Sequence, residues 1–551
     1  MLRKLKKIDW HLHHEFPLLI LLLILIVLRL PNFLEPYWYG DEAIYLTIGT
    51  AMKQGALLYK DIIDHKTPLI YYLAMVPSQV HFRLLLTLWM MVSTTAFYYS
   101  ALRLLKSLKI TVFSTLIFVL LTTLPALEGN IPNGELFVMG FVLTALALLM
   151  NTQLYYQFFT LSFTLVQARK HHHPILQVLT NSLHNTRDVS LFLGAGFLLG
   201  LAVLTKVPAI FDAAGLLSVA WFVVVDSFSY KKFSLWREKV VQVITQAGLV
   251  GIGILSPIVL SIGYYALRGS LPEYLEYGLL YNFRYIQSWG LPFSDPTLVW
   301  FFSFPGKITV VLVVVLLLMA FKRWLTPAWQ FIVAWSMVAL FASLLSSRPY
   351  PHYFLQLVPP FSLLVGLLIQ KLYQLRQSTA KLWYRVRYYA LPIVIGVIPL
   401  VLLAAVMNLL NVGLYPTFNY YTRSLRYVTG QMSRQAYYQS FDGLMTENYE
   451  AAEIIVLSDD PHLFIWGTNP LLYALTEKSP TGRFTVSFHI KDFKAEAETL
   501  ADLKEDSPKY VVIMENEVPL PGLTEYLSED YIINSNFSHF TLWQRWENLP
   551  R

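Results

Sequence analysis

Long apolar runs recur along the first 410 residues of this chain, and its basic residues fall in every second gap between them. A segment needs roughly 20 predominantly apolar residues to cross the hydrocarbon core of a bilayer, so the pattern predicts about eleven crossings. They are expected near 16–34, 79–102, 110–127, 135–155, 189–205, 208–225, 241–263, 298–321, 328–346, 352–370 and 390–410. Arg3, Lys4, Lys6 and Lys7 precede the first run, and Arg103, Lys106 and Lys109 follow the second. Further clusters come after the fourth (Arg169, Lys170), the sixth (Lys231, Lys232, Arg237, Lys239), the eighth (Lys322, Arg323) and the tenth (Lys371, Arg376, Lys381, Arg385, Arg387). A cytoplasmic N-terminus puts all of these clusters on the cytoplasmic side, as positive-inside topology requires. Asp41, the loops 128–135 and 264–297, the segment 346–352 and everything after 411 then lie outside.

Composition agrees with a polytopic α-helical membrane protein. Of 551 residues, 55% are hydrophobic and only 14% charged, against about 25% charged in soluble domains. The absence of cysteine excludes disulfides, thiolate metal sites and thiol catalysis. The net charge of +7 sits in short loops, which argues for membrane topology and against a nucleic-acid partner. Leu2–Lys7 followed by an apolar run resembles a signal peptide, but no small-residue cleavage site follows Leu30, so the first span is read as uncleaved. The segment 151–188 is expected to be a cytoplasmic insertion with an interfacial helix. Its tract His171–His173 reads as a solvated basic loop rather than a metal site.

The chain divides into a membrane part, 1–410, and a small external α/β domain, 411–551. In the second part charge rises and short strand-like segments appear, at 453–457, 484–488, 510–514 and 540–543, with a helical stretch over 491–505. No glycine-rich phosphate loop follows a strand there, so nothing supports nucleotide binding.

Asp41 and Glu42 stand where the chain leaves its first span, flanked by Tyr37, Trp38 and Tyr39. Ionisable groups at the membrane edge are costly, which marks them as functional candidates. The external loop they open, 35–78, also holds Asp61, Asp64, His65 and Lys66. Residues 43–54 predict a short interfacial helix with Ile44, Ile48 and Ala51 on one side, and Pro68 starts another at a tolerated first-turn position. Two such helices with acids and a lysine between them make a polar pocket at headgroup depth. A second acidic patch spans Glu128 to Glu135, while Lys206, Arg348 and His352 lie near the external mouth. Cations facing carboxylates there suit a phosphate or pyrophosphate headgroup. The plainer reading of Asp61 is loop solvation, and that of Lys206 and Arg348 is snorkelling at helix ends. Asp212, within a span, is expected to pair with a neighbour.

Several segments carry a resemblance: Gly40–Tyr45, Asp61–Leu73, Asn130–Phe137, Gly200–Pro208 and Ser347–Pro360. Together, in this order, they resemble bacterial GT-C type glycosyltransferases, relatives of protein O-mannosyltransferases and of the aminoarabinose transferase that modifies lipid A. The likeness covers roughly 15–410, and Ile465–Leu475 is similar to part of the family's external domain. One departure is Lys66-Thr67-Pro68, where the family has Lys-Pro-Pro. The resemblance implies inverting transfer of a sugar from a polyprenyl-phosphate carrier to a glycan, lipid or protein acceptor, at the outer face of the cytoplasmic (inner) membrane. It implies Asp41 as base, with Glu42 orienting the acceptor or a metal, and Lys66 near the donor phosphate. Lys206, Arg348 and His352 are further phosphate candidates. Asp64, His65 and Glu135 are candidates for the acceptor or a metal, and Asp41, Glu42 and Glu135 form an oxygen set for a divalent ion. Three rival classes are a lipid-linked oligosaccharide ligase or polymerase, a lipid-linked glycan flippase or transporter, and a structural membrane protein with a receptor-like tail, which would leave the Asp41 loop unexplained. A transporter places its charges toward the midplane in repeated halves, whereas here they gather at one face.

Overall fold

The computed structural model describes residues 2–160, 185–227 and 233–546. The tract His171–His173 and most of the 151–188 insertion lie outside the described residues. So do the basic residues Arg169, Lys170, Lys231 and Lys232.

Among the described residues, seven helices are long and apolar enough to cross a bilayer, or up to nine if each of two bent pairs is one span. Two shorter apolar helices, Leu108–Leu121 and Pro327–Ser343, stand beside them. Every apolar run expected from sequence falls on one of these elements, but not all are straight rods. The run near 135–155 breaks into Gly134–Leu149 and Gln153–Phe159 at 82°. Asn151 and Thr152 occupy the break, and Asp188 accepts the backbone N–H of Gln153 that the bend frees. The run near 298–321 breaks at Ser303, by 73°. The Ser303 hydroxyl caps the second piece and Pro305 sits in its first turn, a local instruction to restart a helix.

Lipid-facing surface is apolar, as at Leu19, Leu23 and Val27. Inside the bundle, small residues set the closest approach. Gly196 and Gly200 lie one turn apart on Thr186–Thr205, and a methyl group on either would overlap a backbone carbonyl of the helix Phe233–Leu267. Such contacts replace the hydrophobic drive that lipid cannot supply between helices.

After the last long apolar helix, Leu391–Leu409, the chain builds a five-stranded sheet of order β2-β1-β3-β5-β4. Its strands are β1 (His462–Trp466), β2 (Ser479–Pro480), β3 (Tyr510–Met514), β4 (Tyr531–Asn536) and β5 (Phe540–Arg545). β1 runs parallel to β2 and β3, and β5 antiparallel to β3 and β4. The strands expected at 510–514 and 540–543 are present. That expected at 453–457 falls mainly on the helix Met445–Ile455, which buries Met445, Asn448, Ala451, Ala452 and Ile455 at helical spacing. Residues 484–488 contribute one bridge, at Phe484, before the helix Ser487–Phe493 begins. The helical stretch 491–505 is two helices, Ser487–Phe493 and Glu496–Asp506, parted at Lys494 with φ 54°.

The loop 35–78 lies between these parts. Its helix Gly40–Lys53 forms as expected, but Ile44, Ile48 and Ala51 are covered by protein rather than lipid. Further on, the Ile63 N–H donates to the Arg483 carbonyl at 2.8 Å, and Ile63 joins the apolar cluster under the sheet. The lysine-bearing loop is thus fastened to the C-terminal unit.

Candidate functional site

A cavity of about 840 Å³ opens between the loop 35–78, the loop around Glu128, the end of Thr186–Thr205, the segment after Tyr281 and the turn Arg348–His352. Asp41, His65, Lys66 and Glu135 line it, as do Lys206, Arg348 and His352. Residues scattered over more than 300 positions of sequence therefore meet around one cavity.

Asp41 stands in the first turn of Gly40–Lys53, where the helix macrodipole favours negative charge. Its side chain is 32% exposed and its Oδ2 lies 3.3 Å from the Lys66 Nζ. The Tyr45 hydroxyl, one helical turn on, donates to the same oxygen at 3.2 Å. Burial works to raise the Asp41 pKa, but Lys66 and then His352 outweigh it and hold the carboxyl below its ordinary value of 3.8. Asp41 is an anion at neutral pH.

Lys66 is held between two carboxylates, its Nζ also 3.7 Å from Asp64 Oδ2. Burial disfavours its charge, yet Asp41 and Asp64 raise its pKa well above the ordinary lysine value. The Tyr59 hydroxyl donates to its backbone carbonyl at 2.7 Å, and the Tyr71 hydroxyl donates to Asp64 Oδ2 at 2.5 Å. Thr67, where the resemblance expects proline, donates its hydroxyl to the Val203 carbonyl at 3.1 Å and ties the loop to the membrane helix. Asp64 is sealed behind Lys66. Burial pushes its pKa up, but Lys66 and His65 bring it well below the usual carboxylate range.

Opposite, Lys206 pairs with Glu135 and lies 4.3 Å from the Tyr353 ring centroid. His352 Nδ1 lies 2.5 Å from Glu128 Oε2, to which the Tyr39 hydroxyl also donates at 2.5 Å. Arg348 donates to the Ser288 hydroxyl at 2.8 Å, with its guanidinium 4.0 Å from the Tyr285 ring centroid.

Glu42 is not part of this constellation. Its side chain is 1% exposed and paired with Arg83, whose Nε and Nη2 reach its two oxygens at 2.8 and 2.6 Å. Gln79 donates to Oε2 as well, at 3.0 Å. The oxygen set Asp41, Glu42 and Glu135 is therefore not brought together, because Glu42 faces the protein interior and Glu135 is engaged by Lys206. A different cluster has donor atoms close enough for one metal ion: Asp64, His65 and His489, all buried. Mixed nitrogen and oxygen donors of this kind suit zinc better than magnesium or calcium. The three also satisfy one another, with His65 Nδ1 2.9 Å from Asp64 Oδ1 and 3.1 Å from His489 Nε2. Burial holds the His489 pKa down to about 3.

Of the residues that sequence did not single out, Glu128 was within reach, since it opens the acidic patch. Tyr39 stood out only as one of the aromatics flanking Asp41, and Tyr285, Tyr353 and His489 gave no signal because they reach the site only through the fold. Asp212 accepts from Trp335 and Gln356, as its placement within a span suggested. Asp61 caps a turn by accepting from the Leu57 N–H at 2.7 Å.

No family model and no curated protein matches this sequence. Among solved structures, ArnT from Cupriavidus metallidurans bound to undecaprenyl phosphate is similar over 97% of this chain and 99% of its own, at 14% identity and TM-score 0.50. Its apo state matches with TM-score 0.48, at 14% identity over 95% of this chain and 97% of its own. An oligosaccharyltransferase from Archaeoglobus fulgidus, in complex with zinc and sulfate, matches with TM-score 0.38 at 14% identity, over 90% of this chain and 68% of its own. The likeness to undecaprenyl-phosphate-bound ArnT extends through the membrane helices and the C-terminal sheet: the chain has a GT-C type fold.

Proposed function

We propose that this chain is a glycosyltransferase that moves a sugar from a polyprenyl-phosphate donor to an acceptor hydroxyl at the outer face of the cytoplasmic membrane. The observation that carries the reading is the Asp41–Lys66 pair at the cavity wall. It sets an ionised base beside the cation best placed for a phosphate. A phosphate is a good leaving group, so the reaction asks for a base and for stabilisation of the departing anion rather than for a general acid. The acceptor oxygen attacks the anomeric carbon from the face opposite the phosphate. Its proton passes to the Asp41 carboxylate, and the electron pair of the breaking C–O bond leaves with the phosphate. Inversion follows from this single displacement.

Lys66, Lys206 and Arg348 are the cations for that phosphate, with His352 beside them. In the free protein Lys66 holds Asp41 below its ordinary pKa. A phosphate beside Lys66 adds negative charge that opposes this effect, so donor binding makes Asp41 a stronger base. His65, Asp64 and Glu135 act here as partners that fix the cations. The fold likeness to a protein bound to undecaprenyl phosphate supports a lipid-linked donor.

The test is turnover by the purified full-length protein with polyprenyl-phosphate sugars, comparing Asp41→Asn with the wild type. Loss of the new glycosidic bond with donor binding retained supports the assignment, and full turnover removes it. A flippase would instead carry donor across vesicles without forming that bond. Sidedness has its own test, made clean by the absence of cysteine. A single cysteine at the exposed position Gly413 should react with an impermeant maleimide from outside intact cells, and reaction only after lysis reverses the topology.

A further inference from the structure

We propose that the mouth of this cavity is an acceptor subsite for an uncharged sugar, stacked on Trp289 and Tyr350. The inference rests on the transferase reading and names the acceptor class that reading leaves open. Both side chains line the cavity, and they are 39% and 37% exposed. Their ring centroids lie 6.4 Å apart with the planes tilted by 49°, an open wedge rather than a closed stack. Each ring also packs against a second side chain. The Arg348 guanidinium lies 5.0 Å from the Trp289 centroid, and Tyr350 stacks on His352 at 5.7 Å and 10°. Fixed, half-covered aromatic faces are negative at their centres and attract the weakly positive C–H face of a pyranose. Sugar hydroxyls at the ring edge then need polar partners, and Ser288, Asn282 and Asp492 line the same cavity.

Charge points the same way. Asp41, Glu128, Glu135 and Asp492 line the cavity against Lys66, Lys206 and Arg348, with His65 and His352 between them. Lys66 is engaged by Asp41 and Asp64, and Lys206 by Glu135. Among the described residues, Arg348 is the one lining lysine or arginine with no carboxylate in ion-pair contact. Donor phosphate uses that remaining capacity. An acceptor carrying its own phosphate or carboxylate would enter as an unpaired anion in a cavity already rich in carboxylates, which is costly. A neutral glycan hydroxyl enters without that cost.

The experiment is saturation-transfer NMR on the intact protein in lipid nanodiscs loaded with undecaprenyl phosphate. The probes are methyl α-mannoside, methyl β-galactoside, methyl β-N-acetylglucosaminide, glucose 1-phosphate and an acetylated Ser-Thr dipeptide amide. At least one neutral glycoside should bind saturably and more tightly than glucose 1-phosphate and the dipeptide. Its Kd should rise roughly fivefold in Trp289→Ala and in Tyr350→Ala, and recover in Trp289→Phe. Tighter binding of glucose 1-phosphate or of the peptide, no glycoside binding, or a Kd indifferent to Trp289 overturns the proposal. The ranking of probes uses the unmodified protein, so it stands even where a variant does not fold. Glycoside binding requires no turnover. It should therefore persist in Asp41→Asn, which separates failure of this subsite from failure of the base assignment.

Discussion

Asp41 and Glu42 are adjacent carboxylates on the same helical turn, yet they live in two different regions of the molecule. Asp41 faces a cavity, one-third exposed, with a lysine on one oxygen. Glu42 faces a sealed layer behind it. There Arg83 joins Glu42 to Glu35, and Trp38 and Asn130 donate to Glu35 at 2.7 and 3.0 Å. Tyr420, from the helix that follows the last span, donates to Asn32 at 2.8 Å and also to Glu35. The front region pairs its charges beside an open cavity, whereas the back region buries Glu35, Glu42 and Arg83 together. Adjacent acids can thus have separate fates, one at a cavity wall and one as an anchor that holds the helix presenting the other.

The comparison breaks most visibly at Asp41. Asp41→Asn is expected to lower kcat by about 10²–10⁴-fold while leaving the melting temperature in detergent nearly unchanged. The converse holds behind the helix: Glu42→Gln or Arg83→Met should cost about 3–5 kcal/mol of stability by stranding a buried charge. The paired change Glu42→Leu with Arg83→Met should recover only the part owed to the Glu42–Arg83 pair, since Glu35 stays buried without its cation. A double variant as unstable as the sum would show that Glu42 does more than pair. Lys66→Met should raise the KM for donor by about 10–100-fold, the worth of one or two charge-assisted hydrogen bonds. Lys206→Met, whose charge is already shared with Glu135, should raise it by less than Lys66→Met does. The smallest effect is on pH. Because Lys66 lowers the Asp41 pKa, the wild-type acid limb of kcat/KM should lie below the ordinary carboxylate value of 3.8. Asp41 is ionised above that limb and activity falls as pH drops through it, so removing Lys66 should move the limb to higher pH. A limb unmoved by Lys66→Met would assign it to another group.

The membrane part of the fold was legible because a bilayer enforces long apolar runs. Breaks within runs were less so: a Ser-Phe-Pro restart at 303–305 is compatible with a continuous apolar stretch until packing decides. In the C-terminal unit, Ile454, Ile455 and Val456 suggested a strand by composition, while tertiary contacts made a helix of Met445–Ile455. The juxtaposition was readable where a single loop carried both partners, as at Asp41 and Lys66, which meet at the cavity wall. Sequence misled at Glu42, since no local signal says which of two neighbouring acids faces a cavity. His489 was invisible for another reason: it lies 424 positions from the His65 that it touches.

The bridge from Ile63 to Arg483, together with the His65–His489 contact, has a consequence for how this molecule would be cut down. A fragment ending at 411 would retain the apolar helices and both Asp41 and Lys66, but the strap that sets the distance between them would be loose at one end. The sheet braces the loop that carries Lys66, and trimming it away would free that loop at its Ile63 and His65 contacts.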